Sequence, residues 1–570
     1  MKKFLFVTAA LVAAVLIYAL RLFPPQRHLS PAFSDDTVAG VVHVHTNRSD
    51  GLSSPDVVAA AAARAGLAFL IFTDHGDATR PPTPPAYMSG VLCLDGVEIS
   101  TSGGHYVVID MPPSPYPLGG EARDVVEDVH RLGGFGIVAH PDSPKPQLRW
   151  DDWSVPFDGI ELVNPDTSWR VLAGEPGWTP KLHLFAALAA YPFRAPQVMS
   201  GLLQPPAALA QWAEVVRTRS VVTMAGADAH ARLGLRGSDP DGDRLIIPLP
   251  GYESSFRMLS AHVRLERPFN GDASSDAAML TKAIREGHLY TAVDALAAPS
   301  SFEFTATNAS GSVGEGGTLQ AGSPVALHVR SNVPEGFATI VHEGARVLAR
   351  VGASQDLTVH GGADPSVYWV EVVSPVGHPP VTWIRSNPIY VRGASAPAAS
   401  DKPPLAIGPD RRPLFDGRSA TGWTVEHDAN SLAAVDLATP AENATLRFPF
   451  GLAGGAAVGQ YASLVVNLPD GMGPYDAVRF AVRAEKPMRV SLQVRDTTAD
   501  RWQRSIYVDV SKQERIIALD DFRPVGTPRT VKPSLNLLRA LMFVVDTTNT
   551  RPGTSGRVWL DGVELAKSVR

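Results

Sequence analysis

Six histidines and three carboxylates in the first 230 residues carry the pattern of a metal site. His43 and His45 close the run Val41-Val42-His43-Val44-His45-Thr46. In an extended strand, residues i and i+2 project to the same face, so the spacing aims both imidazoles at one place. Asp50 follows in Ser49-Asp50-Gly51, His75 ends Phe72-Thr73-Asp74-His75, and Glu98 lies in Gly96-Val97-Glu98-Ile99. His105 opens Gly104-His105-Tyr106, His140 ends Ile137-Val138-Ala139-His140-Pro141, and Asp228 with His230 repeats the i, i+2 spacing in Gly226-Ala227-Asp228-Ala229-His230. Nine such ligands exceed the three or four of a single zinc site and imply two or three divalent ions. Nitrogen and oxygen donors without thiolate suit Zn, Mn or Fe and do not choose among them. His130, His183, His262 and His288 lack such company and read as hydrogen-bonding residues.

The chemistry expected of such a site is hydrolysis. Bound divalent ions lower the pKa of water toward about 7 and clamp the attacking and leaving oxygens, so no side-chain nucleophile is needed. Asp50 or a further histidine is expected to protonate the leaving oxygen. Arg232 and Arg236, just past the Asp228-His230 pair, are better placed to hold phosphate charge than Lys145 or Arg149. A metal-activated water also attacks amides and esters, which keeps a second hydrolase reading open.

Positioning these ligands requires strands that end at one mouth. Between residues 38 and 298, short β-branched runs alternate with Ala-rich helical stretches, which predicts parallel βα units in a barrel or open sheet. The Ala-, Leu- and Pro-rich segment 170–215 interrupts that rhythm as a helical insertion. Past residue 300 the apolar residues alternate at period two between Gly/Pro turns, as in Val367-Tyr368-Trp369-Val370-Glu371-Val372-Val373, and predict β-sandwiches. The chain has 570 residues, a formal net charge of −6, 49 glycines, 49 prolines and one cysteine. That charge offers no nucleic-acid footprint, and a lone Cys93, expected in the core, excludes an intramolecular disulfide. Residues 4–20 carry no charge and follow Lys2-Lys3, which predicts an uncleaved signal anchor with the rest of the chain exported; secretion after cleavage is the alternative.

The ligand pieces His43-Val44-His45-Thr46 with Ser49-Asp50-Gly51, Thr73-Asp74-His75, Gly96-Val97-Glu98, His140-Pro141 and Asp228-Ala229-His230 resemble, in order, those of the PHP (polymerase and histidinol phosphatase) family. The resemblance spans residues 37–300. It implies a distorted (β/α)7 barrel holding two or three metal ions, Glu98 as a bridging carboxylate, and phosphoesterase activity. The Pro-rich loop 80–85 and the insertion after Trp169 depart from the family pattern where substrate should bind. Toward the C-terminus, Leu414-Phe415-Asp416-Gly417, Arg501-Trp502 and Gly556-Arg557-Val558-Trp559-Leu560-Asp561-Gly562 resemble galactose-binding-like jelly rolls of carbohydrate-binding modules.

The resulting expectation is a multidomain chain: anchor and linker 1–36, metal-bearing barrel 37–300, Ig-like β-sandwich 301–393, linker 394–411 and jelly-roll β-sandwich 412–570. The expected partners are a small or polymeric phosphate ester at the metals, a membrane at the N-terminal helix, and an envelope glycan at the last domain, where Trp502 or Trp559 is the candidate sugar platform. Glycan binding with a secondary barrel is the alternative from outside the enzymes.

Overall fold

The computed structural model describes all residues except 1, 34–35, 237–242, 378, 394–404, 439–443, 456–457 and 570. Most of the expected linker from residue 394 lies outside the described residues, as do the side chains of Arg236, Lys2 and Lys3. The chain forms two compact units, residues 1–112 with 121–399, and residues 113–120 with 400–570. It is a multidomain protein rich in β-sandwich sheets.

The apolar runs beside the candidate ligands form strands β1 (Thr37–Val44), β2 (Phe69–Phe72), β3 (Val91–Asp95), β4 (Val97–Thr101), β5 (Gly104–Ile109), β6 (Phe135–Ala139), β7 (Gly159–Val163) and β8 (Val222–Ala229). β2 and β6 are buried along their whole length, as strands covered on both faces must be. β1 pairs in parallel with both β2 and β8, and β2 with β3. An isolated parallel bridge between His75 and Glu98 carries the pairing from β2 to β4. β4–β5 and β5–β6 are antiparallel, while β6–β7 and β7–β8 are parallel, so hydrogen bonding runs round a closed circuit.

Helices cover the circuit where the sequence supplies caps and an apolar face. Pro55–Ala65 begins with Pro at its first turn and ends at Gly66, whose φ of 83° requires glycine's freedom. Its Val58, Ala59 and Ala62 pack with Val41, Leu70 and Cys93. Cys93 is buried there, and burial pushes its thiol up to about 12, which makes it inert core material.

The insertion forms α-helices Pro165–Gly174 and Trp178–Gly201, the second broken at Arg194 between Pro192 and Pro196. The helix Lys2–Leu22 ends against it, with Ala19 and Phe23 packed on Ala186, Ala187 and Ala190. Among the described residues, no helix is long and apolar enough to cross a membrane, so the expected anchor is not shown.

Residues 302–392, expected as a separate sandwich, are strands of the first unit: one set forms a four-stranded sheet, and the rest join the sheet of the preceding strands. Strand Leu289–Ala292 pairs with Thr382–Ser386, and Ala225, Met258 and Tyr290 share one core with Phe304, Leu327 and Trp383. A boundary at residue 300 therefore passes through continuous sheet and core. In the second unit, two antiparallel sheets enclose a core that includes Phe448, Leu464, Phe480, Leu492, Phe543 and Leu560.

Candidate metal centre

The nine sequence-predicted ligands come together. Their donor atoms fall into four overlapping groups, each with its atoms within 4.8 Å of one another: His45, Asp50, His75 and His230; His43, Glu98 and His140; His43, His45 and Asp228; His75, Glu98 and His105. Glu98 lies at the middle. One carboxylate oxygen is 2.7 Å from His105 Nδ1 and 2.9 Å from His140 Nε2, and the other is 3.1 Å from His45 Nε2 and 3.2 Å from His43 Nε2. Asp228 Oδ1 stands 3.4 Å from His43 Nε2 and 3.5 Å from His230 Nδ1. Asp50 Oδ1 stands 3.3 Å from His230 Nε2 and 3.4 Å from His45 Nδ1.

Backbone detail achieves this convergence, and it differs from the simple alternation expected. His43 has φ 66° and Asp228 φ 46°, both left-handed, and the pairing register slips at each position. The paired side chains therefore meet through bulged strand ends. His140, at φ 30°, is bent in the same way. Non-glycine residues held in this region carry local strain, and such residues cluster at functional sites. His105 reaches the same mouth from the start of a strand because β5 runs antiparallel to its neighbours, which sets His105 opposite Ala139 at the end of β6.

The centre is graded in depth. His43, His45 and Glu98 are buried, whereas the side chains of His75 and Asp50 are 34% and 44% exposed, so solvent enters on the Asp50 side. Burial alone would raise the Glu98 carboxyl, but the His43 charge and hydrogen bonds from His105, His140 and His43 outweigh it and hold Glu98 well below the usual carboxylate range. Burial opposes the protonated form of His230, but its bond to Asp50 and the Asp228 charge push it up to about 9.

Sequence reasoning missed the supporting groups. Glu161, buried on β7, lies 2.5 Å from His43 Nδ1 and accepts the His140 backbone N–H at 2.9 Å. A carboxylate behind a ligating histidine fixes its tautomer and orientation. Gly226 leaves room for Glu161, since a Cβ there would lie 2.0 Å from its carboxylate oxygen. The one available signal was an acid within the apolar run Gly159-Ile160-Glu161-Leu162-Val163. Asp74 accepts from Thr46 N–H, Thr46 Oγ1 and Ser49 Oγ at 2.7–2.8 Å and pins the loop that carries Asp50. Asp95 accepts from Arg80 and from Thr83 N–H, which tethers the Pro-rich loop.

Arg232 is exposed, and its Nη1 lies 3.4 Å from the Asp50 carbonyl. The four histidines set aside lie in other contacts: His130 on Asp158, His262 stacked on Tyr290, His183 against Phe23 and His288 near Glu286. In the second unit, Trp502 is buried and donates to Thr530 O, and the Arg483 guanidinium lies 3.8 Å from the Trp559 ring centroid.

No protein family matches this sequence, and no curated protein matches it either. Among solved structures, a family 11 carbohydrate-binding module of a cellulosomal cellulase of Clostridium thermocellum is 15% identical. The likeness covers 29% of this chain and 96% of that one, with a TM-score of 0.24. An exo-beta-agarase is 12% identical over 28% of this chain and 25% of that one, with a TM-score of 0.21. A family 29 carbohydrate-binding module is 15% identical over 28% and 88%, with a TM-score of 0.18. At these values the likeness assigns no activity to this chain.

Proposed function

We propose that the first unit is a metal-dependent phosphoesterase of the PHP type, with the closed strand circuit as its distorted (β/α)7 barrel. The observation that supports this reading is the overlap of the four donor groups through His43, His45, His75 and Glu98. Shared ligands suit adjacent ions rather than separate structural sites. Two or three Zn, Mn or Fe ions held by the nine residues would supply an activated water and charge neutralisation at phosphorus.

The chain's own residues do the rest. Glu161 holds His43 with Nε2 turned toward the centre. Burial would raise the Asp50 carboxyl, but its bond to His230 and the charges of His230, His45 and His75 hold it well below the usual carboxylate range. Asp50 therefore serves as a ligand, solvent at this open end supplies the proton to the leaving oxygen, and Arg232, beside Asp50, holds the phosphate oxygens. Export, with the N-terminal helix at a membrane, belongs to the same proposal and is tested by cell fractionation.

The deciding experiment is elemental analysis of the purified full chain followed by a phosphate-release screen over aryl phosphates, sugar phosphates, nucleotides and phosphodiesters. Bound divalent metal with phosphate release that chelation abolishes supports the reading. A metal-loaded protein that releases amine or carboxylate but no phosphate gives the amide or ester alternative.

Glycan binding by the second unit is a separate reading, supported by its two-sheet sandwich architecture. With Trp502 buried and Trp559 covered by Arg483, a sugar platform there would need other residues. Glycan pull-down with the full chain tests it.

A further inference from the structure

Against the metal centre lies a cavity of about 330 Å³, the size of a small-molecule site. Asp228, His230 and Arg232 form part of one wall. The two insertion helices supply much of the rest through Trp169, Leu184, Leu188 and Met199, with Leu202 just past the second. The one carboxylate on the insertion side, Asp166, is already engaged, accepting from Trp169 Nε1 at 3.0 Å and Arg170 Nε at 2.6 Å. Tyr191 turns its hydroxyl to the Gly251 N–H at 3.3 Å. The cavity is thus amphipathic: cationic and metal-ligating groups at one end, hydrocarbon and indole at the other.

An apolar wall beside a hydrolytic centre selects for what the leaving group carries. We infer that the substrate is a phosphate ester whose alcohol bears an extended apolar chain, with phosphate at the Asp228–His230 end and the chain against the insertion helices. This deepens, and rests on, the phosphoesterase reading. A sugar phosphate or nucleotide would present hydroxyls and ring nitrogens to Leu184, Leu188 and Leu202, which offer them no hydrogen bond, and would forfeit the solvation lost on entry. A hydrocarbon chain gains from the same transfer. The helical insertion has a role under this inference that the ligand set alone does not require: it builds the chain-binding wall.

The test separates binding from turnover by using ethyl-, hexyl- and decylphosphonate, whose carbon–phosphorus bond resists hydrolysis, below their micelle-forming concentrations. Calorimetric titration of the full chain, as purified and after chelation, is expected to show affinity rising about tenfold for every two methylenes buried. Leu188→Asp adds charge at a position that is 68% exposed, so the fold tolerates it. Ala173→Trp fills the cavity from the insertion side. Each is expected to weaken decylphosphonate at least tenfold and leave ethylphosphonate unchanged. Equal affinity for all three chains, or chain-length dependence that survives both substitutions, overturns the inference. Chain-length-dependent binding by a metal-loaded protein that releases phosphate from no ester overturns the phosphoesterase reading and leaves a site for amphipathic anions. Equal phosphate release from ethyl and decyl phosphate, without chain-length-dependent binding, does the reverse.

Discussion

The two units place charged groups differently. In the first, nine imidazoles and carboxylates converge on one mouth, and three of them, His43, His140 and Asp228, sit in left-handed backbone. In the second, charged residues pair on the outer faces of the sandwich, as in Arg447 with Asp436 and Arg495 with Glu426, over a core of Phe, Leu and Val. Surface pairs of this kind contribute little to stability, and the sandwich rests on its apolar core. A buried, strained cluster of imidazoles and carboxylates costs stability, and clusters of this kind are concentrated at functional sites.

Breaking the first region should remove function, and breaking the second should remove stability. The largest expected effect is that of His43→Ala combined with His45→Ala. Bound metal is lost and phosphate release falls by about a thousandfold or more, measured by elemental analysis and turnover, while circular dichroism is unchanged. Phe543→Ala in the second unit is expected to cost about 3–5 kcal/mol of that unit's stability and leave turnover by the folded protein intact, read by denaturant unfolding alongside phosphate release.

A third experiment compares two buried glutamates of the first unit. Glu98 is held low by its histidines, whereas burial pushes Glu315 up to about 7, with Arg264 only partly offsetting it. Below about pH 4.5 both folded and unfolded chains keep the Glu315 proton. As pH rises toward 7 only the unfolded chain releases it, so stability falls through that window and levels off above it. Glu315→Gln is therefore expected to be the more stable form at pH 8 by about 2–3 kcal/mol and to match the parent near pH 4 in thermal melts. Glu161→Gln sharpens the comparison within the centre itself. Its hydrogen-bonding shape is kept but its charge behind His43 is lost, so metal affinity should drop about 10- to 100-fold by competition with a chelator. The smallest effect is expected of Arg447→Ala on the sandwich face, within about 1 kcal/mol, and a larger loss would mean that the outer pairs matter more than their exposure implies.

The candidate ligand types, their order and their spacing were legible in the sequence because imidazoles and carboxylates next to short apolar runs need no distant partner to be recognised. The β-rich second half was legible for a similar reason: period-two alternation is local. The joining of residues 302–392 to the preceding strands was not, because the pairing of Leu289–Ala292 with Thr382–Ser386 joins segments about ninety residues apart, and no local pattern records it.

By itself, then, the sequence determined which atoms are available: six histidines and three acids, no thiolate among them, and an apolar helical insertion between two of the ligand segments. Only the tertiary structure decided how they meet. The direction of β5 brings His105 to the mouth, the left-handed turns at His43 and Asp228 aim the pairs inward, and Glu161 arrives behind His43 across 118 residues. These are relations between chain segments set by packing and hydrogen-bond closure, and they exist only once the strands have closed on one another.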